Sequence, residues 1–145
     1  MRPLTIISGA QTGVDRAALD AAIACGLAYG GSIPGPLLRV KQGSSVTVRF
    51  SNRLDLDTSV HWHGMIVPNA MDGVSGLNQK PVPPGETHVY EFVLKHPGTY
   101  MYHSHFDEMV QIAMGMMGFF VVHPRDPNQY RIDRDFVFLL STYDI

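Results

Sequence analysis

The sequence predicts a mainly β protein: an all-β sandwich over residues 32–145, preceded by a strand–helix appendage. Three observations carry that expectation. From Ser32 onward, short segments alternate apolar and polar residues, the period of a half-buried strand. Clusters of Pro and Gly separate those segments at sandwich-like spacing. The 14 Gly and 10 Pro among 145 residues argue for many turns rather than a helical bundle. The length is that of one domain, enough to bury roughly two thirds of the unfolded surface.

Taken in order, Leu4-Thr5-Ile6-Ile7-Ser8 reads as a buried strand and Gly9-Ala10-Gln11-Thr12-Gly13 as the turn after it. The alanine-rich stretch from about Val14 to Cys25 predicts a helix. Ala18, Ala22 and Cys25 share one stripe, Leu19 and Ile23 another, and Gly26 is placed as its stop. A strand–glycine turn–helix unit either presents backbone amides to a phosphate or is an ordinary βα connection. Beyond it, Ser45–Ser51 puts Val46, Val48 and Phe50 on one face, and Thr87–Leu94 does the same with Tyr90, Phe92 and Leu94. Gly98–His103, Gly118–His123 and Asp135–Leu140 complete the expected strands. Turns are expected at Pro34-Gly35-Pro36, Pro68-Asn69, Pro83-Pro84-Gly85, Pro97-Gly98 and Pro124-Arg125-Asp126-Pro127.

Composition narrows the function. Lys+Arg 11 against Asp+Glu 13 leaves no basic surplus, so neither a nucleic acid nor an anionic membrane is an expected partner. Cys25 is the sole cysteine, which excludes an intramolecular disulfide and a multi-cysteine metal site. With 7 histidines against one cysteine, any metal hypothesis tilts towards imidazole ligands. The start carries no apolar core of export-signal length, and the longest apolar run, Ala113 to Val122, is too short to span a bilayer. As written, the sequence predicts a soluble product that stays in the cytoplasm.

The chemistry is concentrated in His61-Trp62-His63-Gly64 and His103-Ser104-His105. On a strand, residues i and i+2 point the same way, about 6.5–7 Å apart, so each pair aims two imidazoles at one patch. Trp62 is expected to point into the core, and Gly64 to keep bulk off the ligand side. Were the two strands neighbours, four imidazoles would converge, a donor set suited to copper or zinc. Other candidates have bland readings. His88 sits on an alternating strand, His96 and His123 lie at loop edges, and Met114, Met116 and Met117 read as gap-filling core. Asp107 and Glu108 read either as a solvated turn or as groups supporting the histidines.

With those residues in view, the stretch about 31–145 resembles the first cupredoxin domain of a bacterial, laccase-like multicopper oxidase. The resemblance rests on the two His-x-His motifs, on Phe106-Asp107-Glu108-Met109, on Met114 to Val122, and on Gly31 to Pro36 with Leu38-Arg39-Val40. It implies a Greek-key cupredoxin sandwich, with His61 at a type 2 copper and His63, His103 and His105 at type 3 coppers. It also implies that Asp72 assists proton delivery while dioxygen is reduced to water. In that family a second cupredoxin domain supplies the remaining histidines and a His-Cys-His type 1 site. This sequence has no His-Cys-His, so no type 1 copper is expected. The lone chain is therefore not expected to act as an oxidase unless a second domain, or self-association, completes the cluster.

Ile6 to Asp20 is similar instead to the opening of a molybdenum carrier family with a Rossmann-like nucleotide-binding fold. That resemblance implies a chimera, with residues 1–30 of foreign origin and 31–145 forming the cupredoxin domain. Three functions follow as expectations: a copper domain of a multicopper oxidase, a non-enzymatic copper or zinc binder, or a nucleotide-binding module through residues 1–28. The parent oxidase family is usually periplasmic or secreted.

Overall fold

The computed structural model describes residues 34–140 and Thr142, together with the backbone of three strands before them. Those three are β1 (Leu4–Ser8), β2 (Ala21–Ile23) and β3 (Leu27–Tyr29). β4 (Leu38–Lys41), β5 (Ser45–Asn52), β6 (Val60–His63), β7 (Thr87–Val93), β8 (Gly98–Ser104) and β9 (Met117–His123) follow. A 3-10 turn at Asn69–Met71 and a single turn of helix, α1 (Glu108–Gln111), lie in the connections. No described helix is long and apolar enough to cross a membrane.

Two sheets form a sandwich. One has the order β1-β5-β7 and the other β4-β9-β8-β6, and from β4 to β8 successive strands alternate between them. In β5 the strict alternation sends Val46, Val48 and Phe50 inward and Thr47, Arg49 and Ser51 outward. β7 pairs with β5 antiparallel, Val48 opposite Tyr90, and buries Tyr90 and Phe92. The second sheet answers with Leu38, Trp62, Tyr102, Phe120 and Val122. Trp62 is wholly buried and joins the two layers: its ring centroid lies 5.2 Å from those of Tyr90 and Phe92 and 6.0 Å from that of Phe120. Edge-to-face packing of this kind adds about 0.5–1.5 kcal/mol per pair beyond burial itself.

The strands expected at 45–51, 87–94, 98–103 and 118–123 are present within a residue at most of their ends. Two expectations fail. Ala21–Ile23, placed in a helix by its alanine content, is a strand paired antiparallel with Leu27–Tyr29. Helix propensity is a weak local preference, and cross-strand pairing overrides it here. Residues 9–20 and 24–26, which hold the glycine turn and the rest of that predicted helix, lie outside the described residues. Asp135–Leu140 alternates like a strand but joins no ladder. Its Asp135 carboxylate is gripped by Arg39 of β4 at 2.7 Å, and Val137 to Leu140 line a cleft with Leu37 and Phe119. Phe136, Phe138 and Leu140 are nonetheless largely exposed, Leu140 at 90%. Alternation makes a strand only where an open edge supplies partners. β1 does find such an edge, running parallel along β5 with Leu4 opposite Val48.

Candidate metal centre

β6 and β8 do two jobs with their two faces. In β6, Val60 and Trp62 go into the core, so His61 and His63 must stand on the outer face. In β8, Tyr102 goes inward and His103 outward. The antiparallel register sets His61 directly opposite His103, and His63 opposite Met101. The ring centroids of His61 lie 5.5 Å from His63, 5.4 Å from His103 and 5.3 Å from His105, and His63 lies 5.3 Å from His103. The four imidazoles therefore form one patch.

Three of them form a tighter group. His61, His63 and His103 each place a nitrogen within 4.8 Å of the other two. His105 belongs to the patch but not to that group. It follows the last residue of β8, its ring stacks beside His103 at 6.2 Å, and its Nε2 lies 3.0 Å from Glu108 Oε1. That approach lacks the alignment of a hydrogen bond. It is a close polar contact on a partly open surface.

Backbone carbonyls aim two of the rings. His61 Nδ1 donates to the carbonyl of Asp72 at 2.7 Å, and His103 Nδ1 donates to the carbonyl of Ser104 at 2.8 Å. A carbonyl only accepts, so both Nδ1 atoms carry a proton, and the lone pair of the neutral imidazole is then on Nε2. His63 Nδ1 then donates to His103 Nε2 at 3.1 Å. Imidazoles whose second nitrogen is tied to a carbonyl are the usual form of a metal ligand. Burial lowers the pKa of His103, and the nearby His61 and His63 lower it further, so the neutral, ligating form is favoured at neutral pH. The donor set, its tautomers and its spacing fit a metal ion that accepts imidazole, copper or zinc above all.

Asp72 reaches the patch through a tight loop. It ends the 3-10 turn, its Oδ1 lies 3.5 Å from His61 Nδ1, and its side chain is partly open to solvent. The next residue, Gly73, has φ +84°, and a Cβ there would overlap the carbonyl of Val60. Only glycine lets this loop lie on the backbone of β6 and deliver the Asp72 carbonyl to His61. Gly64, by contrast, clears nothing from the ligand side. A Cβ there would meet only Tyr100, in ordinary contact, and the position favours glycine because the turn after β6 takes φ +82°.

The remaining candidates stand apart from the patch or beside it. His88 packs on Tyr90 with centroids 4.6 Å apart, and burial lowers its pKa. His96 lends its carbonyl to the Tyr100 hydroxyl, and His123 Nε2 lies 3.2 Å from Arg39 Nη1. Met116 and Met117 fill the core as expected, whereas Met114 is half exposed. Sequence reasoning overlooked Gln111. It is 4% exposed and its amide bonds at both ends, with Thr58 and Ser104 donating to Oε1 and Nε2 donating to the Asp57 carbonyl. A lone Gln inside Met109-Val110-Gln111-Ile112 was the available signal.

Comparison with known proteins agrees with this geometry. The sequence profile of the Multicopper oxidase family matches residues 14–127. Copper resistance protein A of Pseudomonas syringae pv. tomato is 44% identical over 117 residues, covering 81% of this chain and 19% of that protein. Laccase-1 of Cryptococcus neoformans var. neoformans serotype D is 40% identical over 106 residues, covering 70% of this chain and 17% of that protein. The crystal structure of a multi-copper oxidase from Pseudomonas thermotolerans superposes with a TM-score of 0.73 at 36% identity, over 90% of this chain and 31% of the other. The chain spans about a fifth of the length of the curated relatives it matches. With sandwich, histidine patch and relatives in agreement, the chain belongs to the multicopper oxidase family, as one cupredoxin-like domain of it.

Proposed function

We propose that this domain supplies half of the histidines of a copper cluster that reduces dioxygen to water, the other half coming from a second cupredoxin domain. The observation that carries the reading is the His61–His103 register. It gathers His61, His63 and His103 on the outer face of the sheet, with His105 beside them, where another domain can close over them. In this reading His61 takes the type 2 position and His63, His103 and His105 the type 3 positions. Copper, when bound, supplies the electron transfer to dioxygen.

The chain's own residues hold and aim. The Asp72 and Ser104 carbonyls orient His61 and His103, and the sheet fixes their spacing. The Asp72 carboxylate, 3.5 Å from His61 and partly in contact with water, can take a proton from solvent and pass it to the patch. Reducing dioxygen to water consumes protons, so a carboxylate at this point has a task. Electrons would enter through a type 1 site on the partner domain, since Cys25 is the sole cysteine here.

A second reading has its own support. The group His61, His63 and His103 is complete within one chain, which suits a copper or zinc binder without oxidase chemistry. One experiment tests the metal assignment that both readings share, and whether the lone chain reduces dioxygen. Copper is added to the wild-type chain and to His61→Ala/His103→Ala, copper content is measured, and oxygen uptake is followed with a phenolic reductant. Copper held by wild type and lost from the variant, with no oxygen uptake, supports the histidine patch as the copper site, and oxygen uptake gained on adding a second cupredoxin domain would then favour the cluster over the simple binder. Oxygen uptake by the pure chain would show that self-association completes the cluster. Equal copper in both proteins would remove the metal assignment.

A further inference from the structure

The geometry points to Gln111 as a positioning residue for the histidine patch: a buried amide that bolts the His103–His105 segment to the lead-in of the His61–His63 strand. The inference rests on reading the patch as a metal centre. Its basis is where the β ladder stops. β6 and β8 are paired from Val60 opposite Ser104 to His63 opposite Met101, and the pairing ends at Ser104. His105 lies just past that end, so no ladder bond holds it against the neighbouring strand.

Gln111 bridges the gap. Its Oε1 accepts from Thr58 Oγ1 at 2.7 Å and from Ser104 Oγ at 2.6 Å, and its Nε2 donates to the Asp57 carbonyl at 2.8 Å. Asp57 and Thr58 lead into β6 just ahead of His61, and Ser104 sits between His103 and His105. Ser104 Oγ in turn accepts from the Phe106 amide at 3.2 Å, which ties down the residue after His105. The main chain of Gln111 is equally fixed, donating to the Asp107 carbonyl at 2.9 Å and accepting from the Met116 amide at 3.0 Å. Thr58, Ser104 and Gln111 are all buried, so the two bonds to Oε1 are shielded from water. That side chain, with the direct Thr58–Ser104 hydroxyl contact at 3.3 Å, thereby places His105 beside the first pair where the sheet no longer does.

The test is a double-mutant cycle in zinc affinity, measured calorimetrically on the full chain with zinc(II) as a redox-silent probe. The four proteins are wild type, Gln111→Met, His105→Ala and the double variant. Methionine keeps the volume of glutamine and removes its hydrogen bonds. Gln111→Met is expected to weaken zinc binding about tenfold or more, as losses of outer hydrogen-bond partners do. In the His105→Ala background the same change should shift affinity by less than about twofold, because its route of action is gone. A lowered Tm with unchanged zinc affinity, or an equal loss in both backgrounds, would overturn the proposal and leave Gln111 a stabilising residue. Thr58→Val, which cuts one leg of the bridge, provides a milder variant if Gln111→Met does not fold, and it is held to the same two outcomes. Wild type failing to bind zinc, or His61→Ala binding it equally well, would overturn the metal-centre reading itself and this inference with it.

Discussion

The two His-x-His pairs look alike in sequence and are supported differently in the structure. His61 and His63 lie within β6, where period-two alternation around the buried Trp62 aims both rings. His103 shares that support in β8, but His105 lies beyond the strand, beside Glu108 and the turn bolted down by Gln111. A strand sets direction through the pleat; past its end, direction must come from side-chain hydrogen bonds. A motif read at fixed spacing thus says which residues converge, not how firmly each is held.

The largest expected effect comes from removing the common foundation. Trp62→Ala takes away the ring that joins both sheets beneath His61 and His63, and should cost about 3–5 kcal/mol in urea unfolding. If stability barely changes, the aim of the first pair does not depend on the core. The next prediction contrasts the pairs directly. His61→Ala should weaken copper or zinc binding well beyond tenfold, having removed a member of the group of three, and His105→Ala should weaken it by a smaller factor. Equal losses, measured by calorimetry, would erase the difference between strand-held and turn-held histidines.

Smaller effects sharpen the comparison. Gly73→Ala must strain a left-handed position and push against the Val60 carbonyl, a cost of about 1–3 kcal/mol. It should also displace the Asp72 carbonyl, so the imidazole NMR signals of His61 should move while those of His105 stay. The gentlest probe is pH. Burial lowers the pKa values of His103 and His88 from 6.5, so the unfolded chain binds more protons as the medium turns acid. Their share of stability is full above that value and declines as pH falls below it. Tyr90 is pushed the other way by burial, up to about 12, so its share is full below pH 10 and is lost as pH rises towards 12. Tm should therefore fall on both sides of a neutral plateau, and a Tm that rises on acidification below pH 6.5 would contradict the burial of these imidazoles.

Much of this was legible from residues alone. Period two in Val46-Thr47-Val48-Arg49-Phe50 and in Tyr90-Glu91-Phe92 named the core faces, and the same period around Trp62 named the outward histidines. What escaped was whatever depends on contacts distant in sequence. Gln111 bonds to residues more than fifty positions earlier, which no local pattern records. The role of the Asp72 main-chain carbonyl could not be seen, because any residue has one. Asp135–Leu140 has the alternation of a strand, and only the three-dimensional arrangement shows that it joins no ladder.

The central claim is that imidazoles from both pairs bind one metal centre. Electron paramagnetic resonance of the chain loaded with one equivalent of copper(II) tests it most directly. The account predicts nitrogen hyperfine structure from imidazoles of both pairs, simplified in His61→Ala and simplified again in His61→Ala/His103→Ala. A wild-type spectrum identical to that of the double variant would contradict it.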